Sequence, residues 1–329
     1  MAFSECKQRI IEHKQTAESL VSVVDFLGWV GLRVDFVDTL TPLSFYREYV
    51  APNLPLKVLN GFNHWPALRL WNDRSLQRIL GDKLLTVAVT PDGYADAITD
   101  GVFMLPDEHQ MTFSAFLEHM NTGKGNVCYI QKQNSNLTTE LSALYSHVDS
   151  DISWATDAFG TLPDAINFWM GDHRSITSMH HDHYENIYCV VRGSKTFTLI
   201  PPTDQCFIPY KNVSVLRYKQ LADGVFTKVK DKAYDSLPWI AVNPLDPDLR
   251  TYPEFAKAHV YKVTVNEGEM LYLPSLWYHH VTQTDGCVAV NYWYDMRYDI
   301  KYNYHQLVSK LLETRQPRTD DLDTKEESV

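Results

Sequence analysis

The chain has no apolar run long enough to cross a bilayer, and its first residues lack the basic flank and unbroken apolar stretch of a secretory signal. Cysteine is scarce and unpaired in pattern: Cys6, Cys128, Cys189, Cys206 and Cys287 are odd in number, widely spaced and free of CxxC. That disfavours a disulfide framework, and a reducing setting, cytoplasmic and nuclear, is the expectation. Glycine is sparse, at 14 of 329 residues, and falls into neither a Walker nor a Rossmann pattern. G-x-S-x-G is missing as well, so the nucleophile elbow of a serine hydrolase has no counterpart. Basic charge is in the minority, with 30 Lys and Arg against 41 Asp and Glu for a net charge of −11. This balance argues against non-specific binding to nucleic acid or to an anionic membrane and tolerates a basic protein partner, although plain solubility explains it more simply.

What is present suffices for a core: 44% of residues are hydrophobic and 12% aromatic. The length allows one large domain or two small ones, and all-β barrels commonly exceed about 200 residues as a single unit. Residues 4 to about 27 read as a helix, capped by Ser4 and carrying Ile10, Ala17, Leu20, Val21, Val24 and Leu27 at helical spacing. Residues 1–40 are thus an N-terminal helical segment, available to pack on the core or on a second subunit. Thr41-Pro42 starts a second helix, Asn72 or Asp73 a third that stops at Gly81, and Thr112 caps a fourth. From Val127 the pattern turns to β, with apolar runs at 127–130, 165–169, 187–191, 195–200, 260–265, 269–273 and 288–293. Short strands at this spacing predict a sandwich or jelly roll. Residues 203–259 hold Pro209, Pro238, Pro244, Pro247 and Pro253 and read as a long irregular insert. A C-terminal helix over 301–314 and a charged, disordered tail over 315–329 complete the division, with residues 41–300 as the main domain.

The chemistry concentrates in Ser178-Met179-His180-His181-Asp182-His183-Tyr184. In an extended strand residues two apart share a face, so His180 and Asp182 aim together while His181 and His183 point away. One imidazole and one carboxylate need a second imidazole to make a facial set of the kind that holds non-haem Fe(II). Leu273-Pro274-Ser275-Leu276-Trp277-Tyr278-His279-His280-Val281 offers it. An isolated HxD also fits a strand with surface histidines, and zinc suits any His/Asp cluster. Lys195 shares a strand face with Phe197 and Leu199, where a lysine needs an anion unless it snorkels to water at the strand start. Asn186 and Asn291 lie among apolar residues and need partners there. Thr177 and Tyr129 carry hydroxyls that suit an anion but are ordinary in strands.

The ordered set T-x-x-H-x-D-x-x-x-N at Thr177 to Asn186, G-x-K at Gly193 to Lys195, L-P-x-x-W-x-H-x-V at Leu273 to Val281 and N-x-W-Y at Asn291 to Tyr294 resembles the Jumonji-C oxygenases. Within that family the chain is most similar to the small hydroxylases. The resemblance implies a mainly β fold with flanking helices, the double-stranded β-helix or cupin-like jelly roll. It implies Fe(II) held by His180, Asp182 and His279, and 2-oxoglutarate paired with Lys195. Tyr129 and Thr177 would assist, with Asn186 and Asn291 behind them. O2 is the oxidant, and a protein lysine in translation-associated GTPases, hydroxylated at C3, is the implied substrate. A homodimer is implied too. The competing activity is a metal-dependent peptidase acting on methylated histone tails, in which the metal activates water. A third reading, a non-catalytic binding module, sits poorly with a full set of ligands and an anchoring lysine. A substrate ammonium needs an acid, and Asp92, Asp96 and Glu185 are the candidates. Strand alternation turns Glu185 away from the metal-facing side, which favours the Asp92 to Asp96 segment.

Overall fold

The computed structural model describes residues 35–37 and 40–313. The predicted N-terminal helix and the charged tail lie outside the described residues. Helix starts follow the capping chemistry. Thr41 accepts from the Ser44 backbone N–H ahead of Pro42–Phe45, Asn72 caps Asp73–Leu80, and Thr112 caps Phe113–Thr122. Ile300–Glu313 forms the C-terminal helix.

Two β-sheets build the core. The larger has nine strands; its centre runs, in spatial order, Met270–Leu273, Tyr184–Arg192, Cys287–Asp295, Ala165–Gly171, Val127–Ile130 and Leu84–Thr90. The smaller has five, ordered Tyr261–Asn266, Ser194–Ile200, Tyr278–Gln283, Ile176–His180 and Tyr94–Ala95. Side chains from both sheets, among them Tyr129, Trp169, Tyr188, Phe197, Leu199, Val263, Leu271 and Val281, meet in one apolar cluster between them. The opposite face of the larger sheet is covered by the helices, with Phe45, Trp65, Trp71, Phe113 and Phe116 against Phe168, Ile187, Cys189 and Tyr292. A strand buried on both faces has no polar alternation to keep. This accounts for the apolar runs at Ile187-Tyr188-Cys189-Val190-Val191 and at Cys287 to Tyr294. Gly193, at φ 76°, carries the chain from the larger sheet to the smaller, and a Cβ there would stand 2.7 Å from Thr284 Oγ1.

Residues 203–259 differ from the irregular insert read in the sequence. They contain the strands Tyr210–Gln220, Phe226–Lys230 and Ser236–Ile240, which join Val102–Leu105 and Ala97–Thr99 in a third layer. Pro238 is tolerated because Ser236–Ile240 pairs only with Tyr210–Gln220 and so lies on an edge.

The strand Ala165–Gly171, which brings Trp169 into the barrel, pairs with Val127–Ile130 only at Met170 and Gly171. Further along, a side chain takes over the pairing. Asn136 Nδ2 donates to Phe168 O at 3.0 Å, and Phe168 N donates to Asn136 Oδ1 at 2.6 Å. Asn136→Ala strands two buried backbone groups, and the expected loss of unfolding free energy is about 2–4 kcal/mol. Urea denaturation measures it, and a loss below ~0.5 kcal/mol would contradict this role.

Candidate active site

Cross-strand register decides which side chains enter the barrel from the smaller sheet. Residues directly opposite one another share a face. Lys195 lies opposite Gln283, Phe197 opposite Val281 and Leu199 opposite His279. On the other flank Thr177 lies opposite Val281 and His180 opposite His279, with a shift of register between Thr177 and His180. That bulge explains how residues three apart reach one face. Thr177 and His180 both turn inward, while Met179 packs outward against Ile200 and Tyr278.

The strand ends at His180, so Asp182 lies in the connection to Tyr184–Arg192 rather than on an extended strand. Its position is fixed by its backbone carbonyl, which accepts from Leu276 N at 2.9 Å. Asp182 Oδ2 stands 3.6 Å from His180 Nε2 and 3.6 Å from His279 Nε2. His180 Nδ1 lies 2.8 Å from Ser178 O, and His279 Nδ1 lies 3.0 Å from Trp277 O. A carbonyl only accepts, so each ring carries a proton on Nδ1 and turns Nε2 toward Asp182. Among the described residues these three are the single group whose donor atoms are close enough to hold one metal ion. Burial alone would raise the Asp182 carboxyl, yet the imidazoles beside it hold it well below the usual range. Burial and the neighbouring His180 push His279 down to about 4. For His180 burial works downward, and the Asp182 charge outweighs it and raises the group.

Deeper in the barrel, Lys195 is 1% exposed. Its Nζ donates to Tyr129 Oη at 3.0 Å and to Gln283 Oε1, and lies over the rings of Tyr129 and Tyr188 at 5.5 and 5.6 Å. Among the described residues no carboxylate forms an ion pair with it. Gly171 makes room for this arrangement: a Cβ there would stand 2.6 Å from Ser175 Oγ, 2.7 Å from Tyr129 Cδ2 and 2.9 Å from Gln283 Nε2.

A cupin-like domain model matches residues 42–300. Over 286 residues the chain is 46% identical to the human bifunctional peptidase and (3S)-lysyl hydroxylase JMJD7, which covers 86% of this chain and 90% of that protein. It is 38% identical to lysine-specific demethylase JMJ32 of Arabidopsis thaliana (86% and 88% covered) and 35% identical to JmjC domain-containing protein E of Dictyostelium discoideum (84% and 88%). The chain belongs to the cupin-like Jumonji-C family. Jumonji-C enzymes are 2-oxoglutarate oxygenases that use Fe(II), and this chain is an enzyme of that class.

Tyr129 is in the barrel at Lys195. Asn291 Nδ2 donates to Asn186 Oδ1 at 3.1 Å, and Trp169 Nε1 donates to Asn291 Oδ1 at 2.8 Å, so the two amides form one buried chain. His181 and His183 face the other way, toward each other, Tyr278, Tyr298 and His305. Asp92 Oδ1 accepts from Tyr94 N at 3.1 Å and closes its own turn. His64 and His173 pair with Asp149 and Asp285 at the surface. Three contributors escaped the sequence. Gln283 lies in a strand that the sequence did not predict, Gly171 acts only by lacking a side chain, and Trp239 comes from the insert. The Trp239 ring is nearly parallel to that of His180, at 9° and 6.4 Å between centroids.

Glu185 is turned to the outer face, as alternation predicts. Its Oε2 accepts from Tyr272 Oη at 2.7 Å and Ser275 N at 3.2 Å, and its Oε1 accepts from Ser275 Oγ at 2.8 Å. These bonds hold the turn before His279, in which Leu276 takes φ 68° and Trp277 Nε1 donates to Asn53 O at 2.8 Å. Glu185→Ala leaves three buried donors unpaired. The unfolding free energy should fall by about 2–4 kcal/mol, measured by chemical denaturation. An unchanged midpoint would mean that the turn is held by other contacts.

Proposed function

We propose that this chain hydroxylates a lysine of a protein substrate, using Fe(II), 2-oxoglutarate and O2, with iron held by His180, Asp182 and His279 and 2-oxoglutarate by Lys195. The observation that carries the reading is the pairing of a two-imidazole, one-carboxylate cluster with a buried, uncompensated lysine inside one barrel. The donor set fits the group. Two imidazoles that turn Nε2 inward and one carboxylate suit Fe(II) with further coordination positions left over, whereas a closed zinc site wants a fourth protein ligand. The Nδ1 bonds to Ser178 O and Trp277 O fix both rings as ligands are commonly fixed. When bound, iron and 2-oxoglutarate supply the activated oxygen that converts a substrate C–H to C–OH, with succinate and carbon dioxide as coproducts.

The chain's own residues provide binding and orientation. Lys195 pairs with the distal carboxylate of 2-oxoglutarate, and Tyr129, whose hydroxyl accepts from Lys195, keeps its own proton to donate to the same anion. Thr177 adds a hydroxyl on the metal-facing side. Asn186 and Asn291 supply amide groups behind the ligands. Phe197, Leu199 and Val281 line the interior and exclude water, which strengthens each of these interactions. The lysine target is carried over from JMJD7, whose name describes a (3S)-lysyl hydroxylase. Translation-associated GTPases are the proposed substrates.

Incubation of a GTPase substrate with the enzyme, Fe(II) and 2-oxoglutarate under air and under nitrogen tests the reading. Intact mass should rise by one oxygen atom under air only, on a lysine. Cleavage that proceeds without oxygen or 2-oxoglutarate would instead support a peptidase.

Asp182→Ala should abolish turnover and weaken iron binding, because it removes the sole anionic protein ligand of the set. His181→Ala should leave iron affinity nearly intact; a loss as complete as that of His180→Ala would reverse the assignment of faces. Lys195→Ala should raise the KM for 2-oxoglutarate by roughly tenfold or more without unfolding the protein. Opposite charges ~4 Å apart are worth ~4 kcal/mol at an effective dielectric constant of ~20, before desolvation is subtracted. An unchanged KM would remove Lys195 from the site.

A further inference from the structure

A lysine substrate, on which this inference rests, must bring its side chain beside His180 into a half-dry environment. A buried ammonium is costly there unless an acid meets it. Asp92, Asp96 and Glu185 are the candidate acids, and two of them are already committed. Glu185 is on the outer face with three donors, and Asp92 closes its own turn.

Asp96 is different. It stands between the short strands Tyr94–Ala95 and Ala97–Thr99, at φ 55°, a conformation that aspartate tolerates better than most residues. Tyr94 and Ala95 pair with Ile176 and Thr177, and the Asp96 carbonyl accepts from Ser178 Oγ at 2.6 Å, two residues before His180. Asp96 is half-buried as a residue, and its carboxylate's one hydrogen bond among the described residues is a long one, 3.4 Å from Gln131 Nε2. Arg217 also acts on Asp96 through its charge, but its guanidinium is bound to Pro106 O at 3.0 Å and Asp231 Oδ2 at 3.2 Å. Burial raises the Asp96 carboxyl above its ordinary value, against the pull of His180 and Arg217, as befits an acid short of partners. Trp239 stacks on the His180 ring and is braced by Phe103 at 4.6 Å between centroids.

We propose that Asp96 and Trp239, both beside His180, form the slot for the substrate lysine, with the Asp96 carboxylate accepting hydrogen bonds from the ammonium and the indole covering its methylene stem. A carboxylate rewards N–H donors, and a quaternary ammonium has none. The slot therefore selects unmethylated lysine over trimethyllysine.

The test uses the full chain loaded with Mn(II) and 2-oxoglutarate, so that binding is read without turnover. The probes are fluorescein-labelled GTPase peptides that carry lysine, trimethyllysine or norleucine at the hydroxylated position, followed by anisotropy. The wild type should bind the lysine peptide roughly tenfold or more tightly than the other two, the worth of a charge-assisted hydrogen bond. Asp96→Asn should reduce that preference to within about twofold while Mn(II) affinity and norleucine-peptide affinity hold. Asp96→Gly, which keeps the positive φ and removes the carboxylate, repeats the measurement should the amide variant not fold. Asp92→Asn is the control and should retain both the preference and hydroxylation. Preference retained in Asp96→Asn or Asp96→Gly, or trimethyllysine bound as tightly as lysine by the wild type, overturns the slot. A wild type that prefers lysine yet adds no oxygen under air overturns the reaction proposed above and leaves the slot standing.

Discussion

The Lys195 ammonium sits inside the barrel with two neutral oxygens and two aromatic rings around it and no carboxylate among the described residues. A charge so placed loses several kcal/mol of hydration, and neutral hydrogen bonds return only part of it. The surrounding residues are arranged around that cost. Gly171 opens space for Tyr129 and Gln283, and Gln283 is itself anchored, donating to Asp172 O at 3.0 Å. Gly193 turns the chain so that Lys195 enters the strand Ser194–Ile200 of the smaller sheet with its side chain inward. A structural lysine would be better replaced by an apolar residue of like volume. One meant for an anion has reason to stay charged.

The cluster nearer the rim is held by backbone, not by alternation alone. The bulge between Thr177 and His180 turns His180 inward, the strand then ends, and Leu276 fixes Asp182 through its carbonyl. Glu185 and Asn53 in turn fix the segment that leads to His279. The chemistry-bearing groups thus come from two strands and one connection, and outer-face contacts set their aim. Substitutions on that face should therefore alter the site without touching it.

Much of this was legible in the sequence, for a physical reason. His180, Lys195 and His279 are polar residues on strands of the barrel and Asp182 follows one of them, where each must have a partner, and the structure brings His180, Asp182 and His279 together. Helix starts at Thr41, Asn72 and Thr112 were legible because capping is local. What escaped depends on long-range pairing. Tyr210–Gln220 and Ser236–Ile240 looked irregular because Pro209 precedes the first and Pro238 lies inside the second, and only the edge position of Ser236–Ile240 makes Pro238 acceptable. Trp239 therefore gave no signal that it would stand against His180. Gln283 was hidden because its position opposite Lys195 is a matter of register. The strict strand alternation used for His180 and Asp182 reached the right convergence although Asp182 lies past the strand end.

If the Lys195 charge exists to hold a dicarboxylate, stability and binding should respond in opposite senses to its removal. The direct measurement is the unfolding midpoint of the wild type and of Lys195→Met, both loaded with Mn(II), with and without 2-oxoglutarate. The wild type should be stabilised by 2-oxoglutarate, whereas Lys195→Met should unfold at the wild-type ligand-free midpoint or higher and gain nothing from the ligand. A variant that is destabilised without ligand yet still stabilised by 2-oxoglutarate would contradict the account, because Lys195 would then serve the fold rather than the cosubstrate.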